Sequence, residues 1–130
     1  MKYLLDTNAV ISLLKAQPML SGRIRKHAPA DFGLPAVVAH ELFYGAYKSQ
    51  KRAANLAVVE ALQFEVLEFD KEDARQAGAI RAVLTSAGKS IGPCDVLIAG
   101  QTRARGLILI THNTSEFARV DGLKIEDWEI

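Results

Sequence analysis

The sequence has 130 residues, of which 49% are hydrophobic and 24% are charged, and its formal net charge is +1. This composition is typical of a globular domain with a real core, and it argues against a disordered chain or a histone-like polycation. The single cysteine, Cys94, excludes an internal disulfide bond and a multi-cysteine zinc site. Because no apolar run approaches the roughly 18 residues of a membrane span and no signal peptide is apparent, we expect a cytoplasmic protein without membrane contacts.

The small net charge hides an uneven distribution. Residues 1–52 carry eight basic and three acidic side chains, whereas residues 53–130 carry eight basic and twelve acidic ones. A basic half can attract a polyanion even when the whole chain is nearly neutral. Surface charge that merely keeps the protein soluble would explain the same pattern.

Predicted strands and helices alternate along the chain. In chain order they are a strand at Tyr3–Leu5, helices at Asn8–Ala16 and Pro18–His27, a weak strand at Phe32–Leu34, helices from Pro35 to about Ser49 and from Arg52 to Leu62, a half-buried strand at Phe64–Phe69, helices at Lys71–Ser86 and Pro93–Arg105, and strands at Leu107–Ile110 and Leu123–Ile125. Thr7 or Asn8 is the expected cap of the first helix, and Asp70 is that of the helix at 71–86. The alternation predicts an α/β domain with a mostly parallel sheet. No repeat or linker divides the chain, so we expect one domain over residues 1–130.

Four acidic residues stand at positions that such a fold could bring together. Asp6 ends the first strand, Glu116 follows the strand at 107–110, Asp95 lies in the first turn of its helix, and Glu41 lies among apolar residues in mid-helix. Each has a simpler explanation as a turn, cap or surface residue. However, ligands of open parallel sheets bind beyond the carboxyl ends of the strands, where at least Asp6 and Glu116 are expected.

Converging carboxylates require a compensating charge. Two of them about 5 Å apart repel by roughly 3 kcal/mol at an effective dielectric constant near 20. An all-oxygen site without a cysteine or histidine cage suits Mg²⁺ or Mn²⁺. Such an ion activates water and stabilises charge on a phosphoryl group, so metal-assisted phosphodiester hydrolysis is the leading hypothesis.

Four sequence segments carry a resemblance to a known family. They are Leu4–Asn8, Ala39–Ala46, Ile91–Ala99 and Thr111–Phe117, with Val120–Leu123 and Asp127–Trp128 closing the pattern. In this order and spacing they resemble PIN-domain ribonucleases, specifically the VapC-type toxins of bacterial toxin–antitoxin systems. The resemblance runs along essentially the whole chain.

This resemblance implies a PIN-like three-layer α/β/α fold with a central, mostly parallel sheet. It also implies a Mg²⁺- or Mn²⁺-dependent endoribonuclease that cleaves tRNA or another structured RNA and thereby inhibits translation. Four residues match the family's acidic quartet: Asp6, Glu41, Asp95 and Glu116. Of these, Asp6 and Asp95 are the first choices as direct metal ligands. Thr7, Asn8 and Asn113 match polar positions that support the quartet.

The resemblance further implies partners. VapC-type toxins are usually homodimers, and each is neutralised by a small VapB-type antitoxin that inserts into the acidic cleft. Operator DNA is reached only through the antitoxin. We therefore expect an RNA substrate, a cognate antitoxin and a second copy of the chain.

Several basic residues are candidates for phosphate contacts, namely Lys48, Lys51, Arg52, Arg103 and Arg105. Tyr44 and Tyr47 could stack on unpaired bases, although a tyrosine at such a position more often lies in the core or in an interface.

Two residues depart from the commonest family pattern. Cys94 stands where many relatives carry a polar residue, and the helix N-terminus predicted there could lower the pKa of its thiol. His112 stands where many carry asparagine, and it is either a spectator or an aid to proton transfer. The three histidines do not form a spaced metal-binding set.

Two other functions remain open from the sequence. An aspartyl phosphatase of the haloacid dehalogenase type also places an aspartate after its first strand. It needs a second aspartate two positions later, where this chain has Asn8. A catalytically silent PIN-like module that binds RNA or protein is the non-enzymatic alternative, and the presence of all four acids argues against it.

Overall fold

A five-stranded parallel sheet forms the centre of the computed structural model, which describes residues 1–130. The strand order is β3-β2-β1-β4-β5, and every neighbouring pair is parallel. The strands are β1 (Tyr3–Leu5), β2 (Phe32–Pro35), β3 (Glu65–Leu67), β4 (Ile108–Ile110) and β5 (Lys124–Glu126). The central strand β1 is an uninterrupted apolar run, as expected for a parallel strand that is covered on both faces. The predicted α/β class is confirmed.

Seven α-helices connect and cover the strands. They are α1 (Thr7–Leu14), α2 (Pro18–Ile24), α3 (Ala36–Lys48), α4 (Arg52–Glu60), α5 (Lys71–Ser86), α6 (Pro93–Ala104) and α7 (Thr114–Phe117). Leu4, Leu5 and Leu109 of the central strands are fully buried in the core between sheet and helices. None of the helices combines the length and apolar character needed to cross a membrane.

Three local predictions differ from the structure. The N-cap of α1 is Asp6, not Thr7 or Asn8, because the Asp6 side chain accepts a hydrogen bond from the backbone N–H of Ala9. Glu116 lies in the short helix α7, a segment for which no helix was predicted. The half-buried strand predicted at 64–69 is shorter, Glu65–Leu67, and Val66 within it is 52% exposed whereas Leu67 is buried.

Helices α5 and α6 pack against each other at unusually short range. The N-cap of α5 is Asp70, as predicted, and it forms a capping box with Asp73. A Cβ atom added at Gly100 of α6 would lie 2.5 Å from the Cβ of Ala77 and 2.6 Å from its Cα. Glycine at this position therefore sets the separation of the two helices. Their packing fixes the orientation of α6, whose first turn carries Asp95.

Candidate active site

The pairing of β1 with β4 places Asp6 beside Thr111. Leu5 and Ile110 are register partners, so the next residue of each strand emerges at the same edge of the sheet. The Thr111 hydroxyl donates a hydrogen bond of 2.5 Å to Asp6 Oδ2, and the Ala9 N–H donates one of 2.8 Å to Oδ1. Asp6 is only 3% exposed. Its buried carboxyl group is therefore held by two neutral donors and no cation.

Glu41 reaches the same region from α3. It is half-buried, and the Thr7 hydroxyl donates a 2.6 Å hydrogen bond to its Oε1. Since Thr7 directly follows Asp6, this bond connects the first turn of α1 to α3. Glu41, which has apolar neighbours in the sequence, is thus half-buried, with its carboxylate held by a residue of α1.

Asp95 and Glu116 complete the set. Asp95 lies in the first turn of α6, which begins at Pro93, and Glu116 lies in α7. The Asn113 amide donates a 2.6 Å hydrogen bond to Glu116 Oε2. Asp95 and Glu116 also interact directly, and this interaction favours the protonated form of Asp95.

The four acids behave as one electrostatic unit. Burial, the hydrogen bond and charge of Glu116, and the charges of Asp6 and Glu41 together raise the pKa of Asp95 to about 7. Burial also raises the pKa of Asp6, although the bonds from Thr111 and Ala9 oppose the shift. None of the five ion pairs in the structure includes a member of the quartet. No basic side chain therefore compensates the negative charge of the site, which only bound protons or a bound cation can offset.

The predicted supporting residues divide into two groups. Thr7 and Asn113 hydrogen-bond Glu41 and Glu116, whereas Asn8 is exposed and makes no hydrogen bond to any of the four acids. Sequence reasoning did not identify Thr111 as a supporting residue. The available signal was its position: a polar residue at the end of a strand predicted to share an edge with the first one.

The thiol of Cys94 does not have the lowered pKa that a helix N-terminus suggested. Burial and the charges of Glu41 and Asp95 raise the pKa of Cys94. Burial is the larger cause of this shift, and the two carboxylates add to it. A reactive thiolate is therefore disfavoured.

A second group of potential ligands lies near Asp6. His112, Asp127 and Glu129 have nitrogen and oxygen atoms within 4.8 Å of one another, and the quartet does not form such a tight group. His112 Nδ1 lies 2.9 Å from Asp127 Oδ2, and this contact together with Glu129 and Asp6 raises the pKa of His112. No sequence motif indicates this group, because its members come from two segments that only the fold brings together.

The candidate RNA-binding residues occupy two different regions. Lys48, Lys51 and Arg52 are exposed where α3 ends and α4 begins. Arg103 and Arg105 lie at the C-terminal end of α6, the opposite end from Asp95.

Arg103 and Arg105 are also engaged within the protein. Arg105 Nη2 lies 3.0 Å from the buried Asp73, and Arg103 donates hydrogen bonds to Gln76 and to the backbone oxygen of Asp121. These contacts argue against the RNA-binding role expected for both arginines. Both guanidinium groups are already bonded to α5, and that of Arg103 is also bonded to the backbone of Asp121.

The fold and the acidic site agree with one known class of protein. The PIN domain model matches residues 3–123 of the chain. The chain is 43% identical to the tRNA(fMet)-specific endonuclease VapC of Shigella flexneri and 37% identical to ribonuclease VapC2 of Haemophilus influenzae, over 98% of both chains in each case.

Solved structures show the same likeness. The DNA-bound VapBC structure from Salmonella typhimurium contains a chain with a TM-score of 0.93 and 40% identity, covering 98% of each chain. A chain of the VapBC-1 structure from nontypeable Haemophilus influenzae has a TM-score of 0.91 and 30% identity, and the match covers the full length of both chains.

The chain therefore belongs to the PIN-domain family and, within it, to the VapC ribonucleases. The resemblance inferred from the sequence motifs, the three-layer fold and the nuclease class are all confirmed. The aspartyl phosphatase alternative has no support from these comparisons.

Proposed function

We propose that this protein is a metal-dependent endoribonuclease and that Asp6, Glu41, Asp95 and Glu116 form its catalytic site. One observation carries the proposal: four acids from β1, α3, α6 and α7 form one electrostatic unit that no basic side chain neutralises. Leaving such charges uncompensated is costly unless the site binds a cation.

The donor set fits Mg²⁺ or Mn²⁺. Every candidate ligand is a carboxylate oxygen, which these hard ions prefer, and no thiolate or imidazole belongs to the quartet. Asp6 and Asp95 are the proposed direct ligands, with Glu41 and Glu116 completing the site. The chemistry that such an ion supplies is activation of water and stabilisation of negative charge on a phosphoryl group.

The surrounding residues orient the acids. Thr111 holds Asp6 Oδ2, Thr7 holds Glu41 and Asn113 holds Glu116. Fixing the rotamers of the ligands in this way reduces the reorganisation needed for metal binding. Asn8, which makes no such bond, is omitted from the proposed supporting set.

We propose tRNA, or another structured RNA, as the substrate, and inhibition of translation as the consequence of cleavage. The support is the 43% identity, over nearly the whole chain, to an enzyme named as specific for tRNA(fMet). This substrate would place the reaction in the cytoplasm.

The relatives also support a partner. Two similar structures are VapBC assemblies, and one of them is bound to DNA. We therefore propose that residues 1–130 act as a single toxin domain, that the toxin forms a homodimer, and that a cognate VapB-type antitoxin neutralises it and connects it to operator DNA.

The decisive experiment incubates purified, antitoxin-free protein with total RNA in the presence of Mg²⁺, Mn²⁺ or a chelator, and maps the new RNA ends. We expect discrete cleavage products with either metal and none with chelator. Asp6→Asn and Asp95→Asn should abolish cleavage and keep the native circular dichroism spectrum.

Asp121→Asn is the matched control, because Asp121 is an exposed acid that lies outside the site. It should cleave like the wild type. Full activity of both site variants would refute the assignment of the acids. RNA binding without any products would favour a catalytically silent module instead.

A further inference from the structure

One face of α3 exposes aromatic rings that the core does not use. His40, Tyr44, Tyr47 and Lys48 are all exposed, and their spacing of four, seven and eight residues places them on one side of the helix. Tyr44 is 60% exposed and Tyr47 is 56% exposed, and no other aromatic side chain is among the exposed large hydrophobic residues. A structural role in the core therefore does not explain these two rings.

One cation lies over a tyrosine ring, and two more follow it closely in the chain. Between His40 and Val58 the chain has three basic residues, Lys48, Lys51 and Arg52, and Glu41 is its only acid. Lys48 Nζ lies 4.8 Å from the centre of the Tyr44 ring. Alternating rings and cations on one surface are complementary to the bases and phosphates of a single-stranded nucleic acid.

The turn between α3 and α4 holds these groups in place. Arg52 Nε donates a 2.9 Å hydrogen bond to the backbone oxygen of Tyr47. The Asn55 amide donates to the Ser49 hydroxyl, which itself donates to the backbone oxygen of Ala46. The basic residues that begin α4 are thus fixed relative to the tyrosines of α3.

This surface is continuous with the acidic site. Glu41 precedes Tyr44 by three residues and Lys48 by seven, so the three side chains lie along one side of α3. At 1.5 Å per residue, Lys48 is about 10 Å along the helix axis from Glu41. A strand bound at the acidic site therefore has the α3 surface directly beside it.

We propose that Tyr44, Tyr47, Lys48, Lys51 and Arg52, here called the α3 strip, bind the single-stranded nucleotides that flank the scissile phosphate. The two tyrosine rings stack on bases, and the three cations contact phosphates. The position of the cut relative to the strip rests on the proposed nuclease function. Binding of RNA by the strip does not depend on that function.

Binding is tested in an Asp95→Asn background, where no cleavage is expected, by fluorescence anisotropy with a labelled single-stranded oligoribonucleotide of about 20 nucleotides. Tyr44→Ala should weaken binding about 5- to 100-fold, which is the range for loss of one base stack. Tyr44→Phe keeps the stacking ring and should retain affinity, whereas Tyr44→Leu should not. Lys48→Ala should reduce the dependence of affinity on salt concentration.

Controls use exposed residues of α5, Lys71→Ala and Val83→Ala, which should bind like the parent. In the otherwise wild-type protein, Tyr44→Ala should lower kcat/KM for the same oligonucleotide mainly by raising KM, because base stacking contributes to substrate binding and not to the chemical step. Unchanged RNA binding in the strip variants would overturn the proposal. So would a loss of kcat with KM unchanged.

The alternative occupant of the strip is a second copy of the chain. Light scattering after size exclusion distinguishes the two: conversion of a dimer to a monomer by Tyr44→Ala, with activity lost in proportion, would also overturn the proposal. If the wild type cleaves no RNA although the strip variants lose RNA binding, the proposed nuclease function is wrong. The proposed binding of RNA by the α3 strip is then still supported.

Discussion

Asp6 has two roles that are usually separate. It is the N-cap of α1, because its Oδ1 accepts the Ala9 N–H, and it is also the most buried acid of the proposed metal site. Asparagine can accept the same capping hydrogen bond, so Asp6→Asn removes the charge and preserves the helix start. This is why an asparagine variant, and not an alanine variant, separates catalysis from folding.

Thr111 provides the clearest prediction at the scale of a single residue. Thr111→Val keeps the side-chain shape but removes the hydroxyl that donates to Asp6 Oδ2. Since that bond favours the charged form of Asp6, its loss should raise the pKa of Asp6 and weaken Mn²⁺ binding by about 10- to 100-fold. Isothermal titration of the metal-free protein with Mn²⁺ measures the effect.

Thr102→Val is the matched control for this substitution. Thr102 is also fully buried, but its hydroxyl donates to the Ile98 backbone oxygen within α6. It should lose some stability and keep the metal affinity of the wild type. Equal Mn²⁺ affinity in both valine variants would contradict the role assigned to Thr111.

Among the secondary-structure elements, the α5–α6 pair determines the orientation of α6 and therefore the position of Asp95 in the site. Asp73 of α5 is 1% exposed. It accepts hydrogen bonds from Gln101 of α6 and from Arg105, the residue directly after that helix. Burial alone would raise the pKa of Asp73, but the hydrogen bonds and charge of Arg105 and the capping bond from Asp70 outweigh it and lower the pKa. These polar contacts and the close approach at Gly100 together fix α6 and its first turn.

Gly100→Ala should destabilise the protein by about 1–3 kcal/mol, because the added methyl group overlaps the backbone of Ala77 and the helices must separate. Urea unfolding followed by circular dichroism measures the change. Gly78→Ala on α5 is the control, since a Cβ there has no atom within 4 Å. It should increase stability by about 0.5–1 kcal/mol through helix propensity. Similar effects of the two substitutions would contradict the close approach.

For the whole molecule, the site's uncompensated charge should govern the pH dependence of stability. The folded-state pKa of Asp95, about 7, lies above its ordinary value of 3.8. The stabilising contribution is therefore complete below the ordinary pKa and is lost as the pH rises through about 7. Asp6 and His112, whose pKa values are also raised, act in the same direction.

We therefore expect the free energy of unfolding of the metal-free protein to fall between about pH 5 and about pH 8. Asp95→Asn should remove most of that slope. Excess Mn²⁺ should restore stability at the higher pH, by about 2.7 kcal/mol at 100 times the dissociation constant. Urea unfolding at each pH provides the measurement. A metal-free protein that is most stable at about pH 8 would contradict the prediction.

The sequence by itself determined the order of strands and helices, the mostly parallel sheet and the four candidate acids. These follow from hydrophobic periodicity, capping residues and short motifs, which report on neighbours within a turn or a strand. Only the tertiary structure decided which side chains form hydrogen bonds with the acids and which are merely close to them in the sequence. Thr111 reaches Asp6 across 105 positions, and Arg105 reaches Asp73 across 32. Asn8, next to Thr7 in the same motif, reaches none of the acids because side chains one residue apart on a helix point in different directions.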